Sequence, residues 1–124
     1  MLNKKILADS PLSLEEIRKI DATDLPMRER HYLRLLAHCL ACFKAMAHES
    51  SRGALPSEQE RLHWLLAQPV LVDESAFAND LLEQFEVAAR ILEQLANEYR
   101  LSPLELTLDE LINSSLRTRQ HGRD

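Results

Sequence analysis

Cys39-Leu40-Ala41-Cys42 is the stretch of this 124-residue chain whose residue types and spacing carry reactive potential. A redox pair of this spacing works at a helix N-terminus, where free amides lower the thiol pKa. Here the surrounding apolar pattern puts the pair mid-helix, with Cys39 in the stripe beside Leu36 and Phe43. The pair therefore reads as two small hydrophobes, Cys39 in the core and Cys42 nearer the edge of the stripe. A c-type haem site needs a His directly after the second Cys, and that residue is Phe43; a zinc-type anti-sigma module needs a His at position 35, which is Leu. His38 and Cys42 stand i, i+4, a spacing that lets two helical side chains share an ion. A third ligand would have to come from another segment, such as His63.

The remaining acid and base residues have simpler explanations. Glu60-Arg61-Leu62-His63 matches the Glu-x-x-His element of di-iron bundles, but that site needs two copies and the chain has one. Glu60 already closes a capping box with Ser57. Glu83 and Glu86 fall on the polar side of a long helix, where Glu86 pairs with Arg90 at i, i+4. Two glycines, Gly53 and Gly122, cannot build a phosphate-cradling loop. No catalytic, cofactor or metal site is expected.

The elements that position these residues are helices. The apolar set is mostly leucine and alanine, and Glu, Arg and Gln add helix preference, whereas sheet formers are scarce. Ser13-Leu14-Glu15-Glu16 is a capping box that opens a short helix with Leu14, Ile17 and Ile20 inward. Thr23 to Pro26 reads as a cap and an early proline before a long helix over about 27–50. Leu33, Leu36, Leu40, Phe43 and Ala47 form its stripe, widened by Tyr32, Cys39 and Met46. Ser57 to Glu60 opens a short helix with Leu62, Leu65 and Leu66 inward, stopped by Pro69. Val70-Leu71-Val72 reads as a docked connector. Asp73 or Ser75 caps a second long helix, to about residue 100, with the seam Ala78, Leu81, Phe85, Ala88, Leu92, Leu95 and Tyr99. Ser102 to Glu105 and Thr107 to Glu110 are two more boxes, one of which starts a last helix carrying Leu104, Leu108, Leu111 and Ile112. The expected fold is an all-α bundle of two long antiparallel helices and about three short ones, spanning 1–116. Residues 117–124 are expected to form a disordered basic tail. Leu36, Leu40, Phe43, Leu81, Phe85 and Leu92 should be the deepest positions.

Size and charge narrow the function classes. With 45% hydrophobic and 28% charged residues, the chain has the composition of one globular domain. A net charge of −5 argues against a nucleic-acid partner, which normally meets a basic surface. No apolar stretch reaches the roughly 20 residues of a membrane span, and the start of the chain lacks a signal-peptide pattern, so a cytoplasmic location is expected. Val87 and Ile91, with Gln84 and Gln94, lie on a flank of the second long helix that the main seam leaves out. That flank is the expected partner-binding surface. The leading reading is a non-enzymatic helical interaction protein (an adaptor, regulator or assembly factor) acting on a protein partner or on itself as a homodimer. The alternative is a nucleic-acid-linked regulator using the C-terminal helices and the basic residues Arg117, Arg119, His121 and Arg123. A metal or thiol sensor at His38, Cys39 and Cys42 comes third.

Overall fold

All four glutamates that complete a capping box reach back to the amide three residues earlier. The carboxylates of Glu16, Glu60, Glu105 and Glu110 accept from the backbone N–H of Ser13, Ser57, Ser102 and Thr107 at 3.0, 2.8, 2.7 and 2.6 Å. Each satisfies a donor that a helix start otherwise leaves without a partner. These boxes fix where the elements begin. The structure, a computed structural model, describes residues 13–48, 50–67 and 75–123. In chain order the helices are α1 (Leu14–Asp21), α2 (Met27–Met46), α3 (Glu58–Leu66), α4 (Ser75–Tyr99) and α5 (Leu108–Arg123). A 3-10 turn, Pro103–Glu105, precedes α5, and there is no strand among the described residues. Pro69, Val70, Leu71, Val72 and Asp73 lie outside the described residues.

The two long helices run antiparallel. Phe43, near the end of α2, packs its ring 5.3 Å from that of Phe85 in the first half of α4. Glu29 and Tyr32, near the start of α2, share a cavity wall with Leu95 and Glu98 near the end of α4. The core contains the seam residues expected: Leu33, Leu36, Leu40 and Phe43 from α2 meet Phe85, Ala88, Leu92 and Leu95 from α4. Leu104, Leu106, Leu108, Leu111 and Ile112 close one side, with Ile20 and Leu65 also fully enclosed. Leu81 is only partly buried, although its place in the seam predicted a deep position. No charged side chain is buried among the described residues.

The helix ends have local causes. α2 starts at Met27 as expected, with Pro26 as its N-cap, although no side chain caps that end. The helix stops at Met46 rather than near 49, because His48 takes a left-handed φ of 57°. At the other long helix, Arg100 takes φ 59°, and its amide and that of Leu101 donate to the carbonyls of Asn97 and Ala96 at 3.1 and 2.9 Å. This is a Schellman closure with arginine where glycine is usual. Gly53, at φ 117°, supplies the turn after α2, and its amide donates to Ser102 Oγ at 2.9 Å. It thereby ties that loop to the 3-10 turn.

On the two short helices the expected inward sets hold in part: Ile20 of α1 and Leu65 of α3 are buried and Ile17 is half-buried. Leu14 of α1 is exposed, and so are Leu62 and Leu66 of α3. On α3 the inward positions are Arg61, Trp64 and Leu65. Trp64 lies 6.4 Å from the Phe85 ring and the Arg61 guanidinium sits 5.9 Å above the Phe43 ring. The large aromatic pair in the core determines the roll of this nine-residue helix, and it outweighs two leucines on the far side.

The helix of the last segment reaches Arg123, past residue 116 where the sequence reading ended the domain. Arg117 anchors its middle: the guanidinium stacks 5.1 Å from the Tyr99 ring and donates to Tyr99 Oη at 3.2 Å.

Candidate protein-docking groove

Each long helix carries a second stripe one residue behind its core seam. On α4 the core positions Leu81, Phe85, Ala88, Leu92 and Leu95 are shadowed by Asp80, Gln84, Val87, Ile91 and Gln94. On α2, Leu33, Leu36 and Leu40 are shadowed by Tyr32, Leu35 and Cys39. One residue turns the helix by about 100°, so these stripes run along the edge of the packed seam, with Cys39 buried at its base. Because the helices are antiparallel neighbours, the two flanks face one another across an open groove of about 430 Å³. Its floor is Leu36, Cys39 and Ala88. Its walls include Val87, Tyr32 and Leu35, which remain 53%, 47% and 41% exposed.

Three of the four residues singled out from the sequence, Gln84, Val87 and Ile91, therefore line one groove. Gln94 lies in the adjoining depression, which shares Tyr32, Leu36 and Ile91 with the first and continues toward α5. Ile91 is half-buried rather than fully open, since it reaches under the α2 wall. The sequence pattern places Tyr32 in the core stripe and Leu35 on neither face, so the α2 wall of this surface emerges only from the pairing of the two helices. Partial burial pushes the Tyr32 hydroxyl up from its ordinary pKa.

The rim is acidic. Asp80 and Glu83 stand at the Cys39 end, and Glu29 and Glu98 at the Tyr32 end. Neither depression is lined by a lysine or an arginine. Glu98 meets Arg117 at 3.9 Å, and both side chains are more than half exposed, a pairing that holds the carboxylate weakly.

The thiols sit below this surface and do different work. Cys39 and Cys42 are both buried, so Cys42 is no nearer the edge than Cys39. Burial pushes each thiol up to about 12, with Cys39 adding to the effect at Cys42. A thiol held this far up is a poor nucleophile and a poor metal ligand. His38 Nε2 and Cys42 Sγ lie 3.6 Å apart, so one donates to the other, and burial holds the His38 imidazole below its ordinary value. No group of three metal-ligating side chains occurs among the described residues, and His63 stands on the exposed side of α3. Glu60, the other residue of the Glu-x-x-His match, is held below its ordinary value by the Ser57 amide and hydroxyl of its cap. Glu86 pairs with Arg90 at 3.3 Å, the i, i+4 contact expected of a solvated helix face.

The arrangement is an open, largely apolar trough with an acidic rim, the kind of surface that can hold a polypeptide segment. No helix among the described residues is long and apolar enough to cross a membrane. No curated protein and no solved structure matches the chain significantly. A family model does match, over residues 12–121, which takes in α1 to α4 whole and all but the end of α5, and the chain belongs to that family, the NDH complex assembly factor CRR9.

Proposed function

We propose that this chain is a non-enzymatic assembly factor that binds a protein component of the NDH complex through the groove between α2 and α4. Membership of a family described as an NDH complex assembly factor supports the assembly role. The observation that carries the site is the open apolar trough whose walls keep Val87, Tyr32 and Leu35 exposed beside a closed core. A monomeric domain gains nothing in stability by leaving these side chains in water, which supports reading this surface as the docking face. Gln84 and Gln94 supply donors and acceptors at its margin, as the polar rim of an interface does.

The assembly role is tested by removing the chain from its cells and resolving the NDH complex on native gels. The expected result is a fall in assembled complex with partly assembled subcomplexes accumulating in its place. An unchanged amount of complex, formed at an unchanged rate, would overturn the reading.

A further inference from the structure

Charge around the groove narrows the chemistry of what enters it, given the reading of that groove as the docking face. The chain has 15 lysines and arginines, yet none lines either depression, while carboxylates stand at both ends. Asp80 and Glu83 make no ion pair among the described residues. From Asp80 to Glu98 the α4 wall covers 18 steps, about 27 Å at the α-helical rise, the length of a five-turn helix. A second copy of this chain fits poorly. A twofold contact brings the same patch to itself, so two acidic rims would be brought together. An anionic membrane surface is repelled for the same reason.

We propose that the α2–α4 groove receives an amphipathic helix of a partner protein, whose apolar stripe lies between Val87 and Leu35 and whose flanking lysines or arginines meet Asp80, Glu83, Glu29 and Glu98. Helix-in-groove recognition reads the apolar anchors at i, i+3, i+4 and i+7. The charged rim selects the partner and speeds its approach.

The test uses the full-length protein and two synthetic 18-residue amphipathic peptides, each with leucine on one face and with either lysine or glutamate on the other. Binding is read by fluorescence anisotropy at low salt. The lysine peptide should bind at least about tenfold more tightly than the glutamate peptide, with the gap shrinking as salt rises. Asp80→Lys with Glu83→Lys should erase or invert that preference. Asp24→Lys with Glu58→Lys changes net charge by the same amount away from the groove and should preserve it. Leu35→Lys with Val87→Lys should abolish binding of the lysine peptide while the helical signal stays intact. Equal binding of the two peptides overturns the proposal, as does a distant charge reversal that acts like the rim reversal. A parent that sediments as a dimer split by Leu35→Lys with Val87→Lys also overturns it, since a second copy then fills the groove. If the peptides fail but Leu35→Lys with Val87→Lys still lowers NDH complex in cells, the docking face stands and only the basic-helix chemistry falls.

Discussion

Replacing Phe85 by Ala tests the packing argument on which the groove's geometry depends. Phe85 is 1% exposed and packs against two aromatic rings, Phe43 at 5.3 Å and Trp64 at 6.4 Å. Truncation removes the transfer energy of the ring and leaves a cavity, a combination that costs about 3–5 kcal/mol. The lost ring contacts fall within the upper part of that range, since an aromatic pair contributes roughly 0.5–1.5 kcal/mol beyond area. Set against a total stability of about 5–15 kcal/mol for a domain, this is a large fraction. With a urea slope near 2 kcal/mol per molar, the unfolding midpoint should fall by about 2 M at unchanged slope. Val87, two residues further on and on the groove wall, is the internal control: Val87→Ala should shift stability by about 0.5 kcal/mol or less. Circular dichroism during urea titration measures all three proteins. A Phe85→Ala protein that unfolds with the parent, or a Val87→Ala protein that loses as much, would refute the assignment of core seam and exposed flank.

Both thiols should react slowly with an aromatic disulfide probe in the native protein and at once in denaturant; rapid native labelling of either would contradict their burial. Folding raises both thiols from the ordinary 9.0 to about 12. Their neutral form is therefore favoured in the native state, and that stability is complete below pH 9 and lost as pH climbs toward 12. The unfolding free energy from urea titration should fall between pH 9 and 11 by up to about 1.4 kcal/mol per pH unit for each thiol, and a Cys39→Ala, Cys42→Ala variant should lose that steepness. Arg100→Gly should stabilise by roughly 0.5–1 kcal/mol, because relief of the left-handed φ exceeds the entropy that glycine adds to the unfolded chain. A lower melting temperature for Arg100→Gly would count against the Schellman geometry.

Much of this fold is written locally in the chain. Ser13, Ser57, Ser102 and Thr107 announce the starts of their elements because a cap is a contact over three residues. The seams of α2 and α4 are legible because the 3.6-residue period is itself the packing rule. Less legible were the roll of α3 and the end of α2. The α3 roll depends on where Phe43 and Phe85 put their rings, and the α2 end on a left-handed turn at a non-glycine residue, His48. Half of the candidate site was readable as well: Gln84, Val87 and Ile91 leave the α4 seam by one residue and signal an uncovered flank. The α2 half was hidden because Tyr32 looks like an extra core residue, and Leu35 falls on neither face, until the antiparallel pairing shows which side α4 covers. The same offset of one residue on both helices, read together, was the available signal.

The central claim is that this groove is where assembly work is done. It is tested by returning the parent or the Leu35→Lys, Val87→Lys variant to cells lacking the chain and quantifying assembled NDH complex on native gels at matched protein levels. The account predicts that the parent restores the complex and the folded variant does not. Full restoration by the variant would contradict it.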